Sequence, residues 1–203
     1  MDRVVLKSFT TLFFFLSAFI APPGAMAGFI GNPMADIATD NREGSVIYDM
    51  VDRDYDSKDI DSDRITLKVS FGIEDDLNVY GMLGNIDVDP GDSEHGFGAG
   101  LKKNIDLSNR EWGFTVQVME YLSDLDLTVI DIAFGTSEVL GPGLAGYLGG
   151  LLSFENGAKD VDADNNIGIF GGIEYAPTKQ LTLGGELRLL SEVSIGLVAT
   201  FVF

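Results

Sequence analysis

The last eleven residues, V-S-I-G-L-V-A-T-F-V-F at positions 193–203, alternate between apolar and mostly small or polar side chains. Period-two alternation of this kind predicts a β-strand with one apolar face. The strand finishes on the aromatic side chain of Phe203, without a polar tail after it. Soluble domains seldom place their most hydrophobic strand at the very end of the chain, so the pattern favours a strand whose apolar face meets something other than water.

The first 27 residues have the organisation of an export signal. Arg3 and Lys7 precede an apolar run at 9–20, and the small-residue triplet 25–27 follows it. This order predicts a cleavable signal peptide over 1–27, with cleavage after Ala27. The alternative is a retained membrane helix, but the run is shorter than the roughly 20 residues such a helix needs. Since the sequence contains no Cys, a lipoprotein is excluded.

Charge and composition exclude several further classes of protein. The chain carries 32 acidic and 13 basic residues, a net charge of −19, which makes nucleic acid an implausible partner. Without Cys, neither disulfides nor thiolate chemistry is possible. Downstream of the leader no apolar stretch is long enough for a membrane-spanning helix, so a closed barrel is the remaining way to cross a bilayer.

From residue 43 onward, alternating segments of about ten residues are separated by turn-rich, acidic stretches. In the clearest segment, 63–73, Ile65, Leu67 and Val69 lie on one face and Lys68 lies on the other. We predict an all-β fold, an antiparallel barrel with strands at 43–53, 63–73, 77–88, 94–103, 110–120, 124–134, 144–154, 166–176, 181–189 and 193–203. Eight strands, with the two weakest segments lost, is the alternative, because bacterial single-chain barrels have even strand numbers.

Residues 28–42 show no clean period. They predict either a periplasmic lead-in or a luminal segment in the form of a short helix. The residues alone do not decide between these alternatives.

A soluble barrel of the lipocalin type also alternates, and strand parity alone does not say which face is inside. The leader, the absence of Cys, the terminal Phe203 and the many Gly residues opposite large apolar ones favour the lipid-embedded barrel.

The chain resembles the small porin-like outer-membrane β-barrel family of Gram-negative bacteria. The resemblance covers residues 43–203 and depends on the hairpin F-G-I-E-D-D-L-N-V-Y-G at 71–81, the hairpin from Tyr175 to Arg188 and the terminal F-V-F. It implies localisation in the outer membrane, with lipid, lipopolysaccharide and the barrel-assembly machinery as partners. It also implies that Phe201 and Phe203 belong to the membrane-insertion signal. Members of the family have unrelated activities, so the resemblance does not identify a ligand.

Aspartates alternate in the stretches expected to face outward, where carboxylates two residues apart can converge on a hard cation. Candidate divalent-cation loops contain Asp52, Asp54, Asp56, Asp59 and Asp61, and also Asp160, Asp162 and Asp164. An EF-hand is rejected, because Asn165 stands where the turn glycine belongs. We favour solvated acidic loops, with loosely bound Ca²⁺ or Mg²⁺ as the only expected cofactor.

Strand parity places Lys68, Glu174, Glu186 and Arg188 in a shared lumen, where buried charges must pair. Eight to ten strands leave little bore, so a plugged lumen is favoured over a narrow polar pore.

These features predict a non-enzymatic outer-membrane protein with a structural or surface-interaction role. A small cation-preferring porin or solute channel is the alternative. A hydrolase or lipid-modifying enzyme is a remote third, because His95 is the only His and no triad is evident around it.

Overall fold

The computed structural model describes residues 28–55, 58–89, 93–107, 110–122, 127–156, 165–190 and 193–203, with the backbone alone described at 52–55, 58–61, 88–89 and 165. Ten strands form within these ranges. They are β1 (Arg42–Tyr55), β2 (Lys58–Glu74), β3 (Leu77–Asp89), β4 (Ser93–Leu107), β5 (Arg110–Tyr121), β6 (Leu127–Gly141), β7 (Leu144–Asn156), β8 (Asn165–Tyr175), β9 (Leu181–Leu189) and β10 (Val193–Val202).

Every strand pairs antiparallel with its sequence neighbours, and β1 pairs with β10, so the sheet closes into a barrel. The closing seam runs from Glu43 opposite Val202 to Asp52 opposite Val193. The backbone N–H of Phe203 also donates to the carbonyl of Arg42 at 3.1 Å. Both ends of the barrel wall therefore lie at the same rim, together with the tight connections between β2 and β3 and between β6 and β7.

The alternation of side chains divides the wall into two faces. On β2, Ile65, Leu67 and Val69 are 52%, 52% and 42% exposed, whereas Arg64 and Ser70 are buried inside. The outward face bears aromatic side chains too: Trp112 of β5 stacks on Phe134 of β6 with ring centroids 4.9 Å apart. A large apolar surface that points away from the barrel is what a hydrocarbon surrounding requires.

No helix of sufficient length and hydrophobicity to cross a membrane occurs within the part of the chain that the structure describes.

The observed strands match the predicted ones in number, order and face, with differences at their ends. The strand predicted at 124–134 is instead β6, Leu127–Gly141, which reaches a tight turn before Leu144. Gly143 in that turn has a φ of 67°, a left-handed conformation that glycine adopts without steric cost. The turn allows β6 and β7 to pair almost to their tips, so residues expected in a connection are strand residues.

The buried side chains lie within the barrel and not between separate layers. One apolar cluster joins β3, β5 and β6 and contains Tyr80, Met82, Ile86, Met119, Tyr121, Leu127 and Val129. A second combines Ile30, from before the first strand, with Tyr147, Leu151, Phe170 and Ala133 of the wall. A contribution from Ile30 means that the chain ahead of β1 is part of the core.

Candidate functional site: the plugged lumen

Residues 28–41, which we call the plug, lie inside the barrel. Phe29, Ile30 and Ile37 are 6%, 1% and 5% exposed. At its C-terminal end the plug is fixed to the rim, where the N–H of Asp40 donates to the carbonyl of Gly72 at 3.1 Å. Of the two alternatives for 28–42, these contacts correspond to a luminal segment, and its described residues form an irregular chain without a helix.

Hydrogen bonds from inward side chains hold the plug backbone along much of its length. The Asn104 amide on β4 accepts from the N–H of Ala35 at 2.7 Å and donates to its carbonyl at 2.9 Å. Lys102 donates to the carbonyl of Asn32. Thr115 on β5 donates to the carbonyl of Pro33 at 3.4 Å. An irregular buried segment needs such partners, because its own backbone groups form no ladder.

Interior glycines make room for the plug. A Cβ placed on Gly72 would lie 2.3 Å from the carbonyl oxygen of Ala38, and one on Gly113 would lie 2.3 Å from that of Pro33. A Cβ on Gly196 would lie 2.3 Å from the ring of Phe29. Real Cβ atoms do not approach other atoms so closely, so glycine at these three inward positions is what permits the plug to contact the wall.

The innermost end of the plug meets Asp131 on β6. The carboxylate of this buried residue accepts from the Gly28 nitrogen at 2.8 Å, from Gln117 Nε2 at 3.0 Å and from Ser153 Oγ at 2.7 Å. Gln117 in turn accepts from the Tyr80 hydroxyl at 3.0 Å. Side chains from four strands thus converge where the plug begins.

One charged cluster of the described lumen is centred on Asp49 of β1. Its carboxylate lies 2.6 Å from Arg188 Nη2 and 3.5 Å from Arg64 Nη2. Arg188 Nε lies 3.7 Å from Glu186 Oε1. Glu186 also accepts from the backbone N–H groups of Ile30 and Gly31, at 3.1 and 2.8 Å. The cluster therefore connects the wall to the plug through Glu186.

The four residues predicted to share the lumen all lie at inward-facing positions, but the structure places them in two groups. Glu186 and Arg188 are adjacent in the Asp49 cluster. Glu174 accepts instead from Asn32 of the plug at 3.1 Å. Lys68 lies within electrostatic range of Glu174, with its Nζ 5.2 Å from the centre of the Tyr80 ring. The plug contacts both groups, since Glu174 accepts from Asn32 and Glu186 accepts from Ile30 and Gly31.

The stretch predicted as the first cation loop has strand backbone where the structure describes it, and cation binding there stays a prediction. Asp52 and Asp54 are in β1, Asp59 and Asp61 are in β2, and the register pairs Asp52 with Asp61 and Asp54 with Asp59. Cross-strand pairing overrides the low strand preference of Asp, so the backbone continues as an extended ribbon where a curled loop was expected. Asp56, Asp160, Asp162 and Asp164 lie outside the described residues. Among the residues that are described, no group of three or more acidic or His side chains is arranged to hold a metal ion.

The terminal aromatics and the single His lie on the outer surface. Phe201 and Phe203 are 51% and 70% exposed, and a Cβ on Gly44 would lie 3.2 Å from the Phe203 ring. His95 is exposed near the start of β4 opposite Asn85, and the nearby Ser93 donates to Asp87 instead.

The sequence-based prediction missed Asp49, Arg64 and Asp131. A signal for each was present. Asp49 and Arg64 share the parity of the inward residues of their strands, and Asp131 interrupts the apolar run V-I-D-I-A at 129–133. A charge within an apolar strand segment marks an inward position in a membrane barrel, because charge on the lipid face is costly.

No family model matches the chain, and no curated protein matches it in sequence. Among solved structures, it is similar to an outer membrane channel from Pseudomonas putida F1, at 12% identity with a TM-score of 0.53, covering 87% of this chain and 100% of that one. Two further similarities have TM-scores below 0.5. The translocator domain of the autotransporter NalP from Neisseria meningitidis has 8% identity and a TM-score of 0.49, with 98% of each chain covered. The KdgM porin has 8% identity and a TM-score of 0.44, with 79% of this chain and 99% of that one covered.

At these identities the likeness concerns the fold alone. The similarity to the outer membrane channel agrees with the closed antiparallel wall. By its fold, the chain is a closed antiparallel β-barrel with ten strands among its described residues.

Proposed function

We propose that this protein acts in the outer membrane as a non-enzymatic, closed barrel with a structural or surface-interaction role. The observation that carries the proposal is the position of the plug, which lies in the lumen and is hydrogen-bonded to inward side chains around the wall. A barrel closed in this way does not serve bulk solute passage while the plug is seated.

The energetics of the lumen support a stable closure. Glu186 and Asp131 each accept hydrogen bonds from plug nitrogen atoms. Withdrawing the plug removes these donors from buried carboxylates, and a buried polar group left unsatisfied costs about 1–3 kcal/mol, more when it is charged. Water that enters the emptied lumen offsets part of this cost.

The surface role remains a proposal that the sequence supports through charge. The expected connections at the far rim are rich in Asp, and the chain carries a net charge of −19. Such a surface would bind Ca²⁺ or Mg²⁺ loosely and bridge to neighbouring lipopolysaccharide through them. The terminal Phe201 and Phe203 would be read by the barrel-assembly machinery during insertion.

Planar-bilayer recording tests the closure. Residues 28–203 refolded into lipid should give no conductance steps, whereas the same chain without residues 28–41 should conduct. A matched control replaces 28–41 with a Gly-Ser linker of equal length, which keeps a tether but removes the contacts, and it should conduct as well. Steady conductance from the intact chain would contradict the proposal.

One observation favours a second candidate, a gated channel with cation preference. The wall that faces the plug includes Gln117, Thr115 and Asn104, so withdrawal of the plug would expose polar groups that water can solvate. The similarity to the outer membrane channel from Pseudomonas putida F1 shows only that the fold is compatible with conduction. Spontaneous cation-selective openings of the intact chain would support this candidate over the first.

A further inference from the structure

The position of Gly28 links the predicted removal of the leader to closure of the barrel. The expected cleavage site lies between Ala27 and Gly28. Gly28 lies inside the lumen, where its nitrogen is 2.8 Å from Asp131 Oδ2. A new chain end formed at this site would therefore lie beside a buried carboxylate.

We propose that leader removal creates an α-ammonium group on Gly28, that Asp131 binds this group, and that processing thereby completes the closure of the barrel. The inference deepens the proposed function and depends on it, since it names what holds the plug in place. Hydrolysis of the Ala27–Gly28 amide consumes one water molecule. The water oxygen ends in the Ala27 carboxylate, and the Gly28 nitrogen gains the protons that make it an ammonium.

The chemistry of the Asp131 surroundings fits an ammonium ligand. The donors within hydrogen-bond distance, Gln117 Nε2 and Ser153 Oγ, are neutral, at 3.0 and 2.7 Å. An ammonium in the place of the Gly28 amide adds a full charge and two further N–H donors. A peptide N–H already forms a charge-assisted hydrogen bond with a carboxylate. The ammonium adds the Coulomb attraction of a full positive charge in a buried site, so the free amine binds this carboxylate more tightly than a peptide N–H does.

The space around the α-carbon of Gly28 is tight. A Cβ at this position would lie 2.7 Å from Gln117 Nε2 and 3.2 Å from Asp131 Oδ2. The adjoining cavity, lined in part by Phe29, Met119 and Tyr121, holds about 20 Å³. That volume accommodates about one water molecule.

The main test measures the reactivity of the N-terminal amine. Mass spectrometry of the protein isolated from outer membranes should find Gly28 as the first residue. In the folded barrel, an amine-reactive ester at neutral pH should label this amine at least about tenfold more slowly than in the unfolded chain, because labelling requires local opening. The Asp131→Asn variant should remove most of that protection, while Asp106→Asn, at an exposed carboxylate, should leave it unchanged.

A second variant retains Asp131, so the inference can be tested even if the Asp131→Asn substitution prevents folding. Residues 27–203, with Ala27 left in place, move the ammonium one residue away from Asp131. This chain should fold with a less protected plug and should show conductance steps that residues 28–203 do not.

The results separate the inference from the proposed function. A first residue other than Gly28, or an amine labelled equally fast in folded and unfolded chains, would overturn the inference even if the barrel stays closed. Conductance from residues 28–203 with a protected amine would overturn the closure and leave the amine site standing.

Discussion

Single side chains decide how the lumen is held together, and Asp49 is the clearest case. One carboxylate lies within ion-pair distance of two buried guanidinium groups, those of Arg64 and Arg188. In a low-dielectric surrounding such a cluster contributes little over an apolar packing of equal volume, yet removal of one member leaves charge uncompensated. The arrangement is therefore sensitive to loss of the central carboxylate.

We expect Asp49→Asn to lower the free energy of unfolding by about 3–5 kcal/mol, because two buried guanidinium groups lose a carboxylate within ion-pair distance. Urea unfolding in lipid vesicles, followed by the fluorescence of Trp112, the single Trp, measures this change. Asp76→Asn is the matched control, since Asp76 pairs with Lys103 at 2.9 Å where both side chains are nearly half exposed. Its effect should stay below about 1 kcal/mol. Equal losses in the two variants would contradict the central role of Asp49.

Residue-level prediction from the sequence succeeded where alternation was regular. Thr182, Glu186 and Arg188 face inward as the parity of β9 indicates. It missed Asp131, because the surrounding segment is so apolar that no alternation distinguishes its two faces. Contacts between residues far apart in sequence, such as Arg188 with Asp49, depend on the closing pair β1–β10, which a pattern along one strand does not specify.

At the scale of elements, the wall was predictable and the plug was not. Strands in a barrel repeat one environment, so their sequences repeat one period. Each plug residue instead meets a different part of the wall: Ile30 packs beside Phe170, Asn32 binds Glu174, and Ala35 binds Asn104. No period results. The inward glycines were the available signal, since small residues on the inner face leave space that another segment must fill.

The close approach at Gly72 gives an element-level prediction. Gly72→Ala should push the plug away from β2, because the new Cβ would lie 2.3 Å from the Ala38 carbonyl oxygen. We expect a loss of about 1–3 kcal/mol and faster cleavage before Asp36 by a protease specific for aspartate, since displacement frees the plug backbone. Digestion of the folded barrel in detergent measures the rate.

Gly81→Ala is the control for this experiment. Gly81 lies on the outward face of β3, where the nearest atom to an added Cβ, the Gly98 carbonyl oxygen, is 4.0 Å away. Its digestion should match that of the unchanged chain. If both variants were cut at the same increased rate, a general weakening of the wall would explain the result and the plug contact would not.

At the scale of the whole molecule, the distribution of polarity is inverted relative to a soluble barrel. Charged side chains such as Arg188 and Glu186 are buried inside, while Leu67, Leu83 and Leu197 are about half exposed or more outside. This inversion decides between the two barrel types that strand parity alone left open, because only a hydrocarbon surrounding makes it favourable.

Electrophoresis tests this inverted distribution of polar and apolar side chains. The folded protein should remain compact in dodecyl sulfate without heating and should migrate differently after boiling, since the closed ladder of hydrogen bonds has no edge at which the detergent can begin to unfold it. A stable monomer in plain buffer without surfactant would show that the outward leucines face water and that the membrane assignment is wrong.

Because the plug is attached to β1, a free molecule that binds in the lumen must compete with it. A free molecule entering the lumen must displace a segment that continues covalently into β1. That segment is also hydrogen-bonded at the rim, where the N–H of Asp40 donates to the carbonyl of Gly72. Short tethers give effective concentrations in the millimolar range. A solute or peptide of ordinary affinity therefore competes with the tethered plug, which already occupies the inner surface of the wall. Dilution of the protein does not lower the effective concentration of the plug.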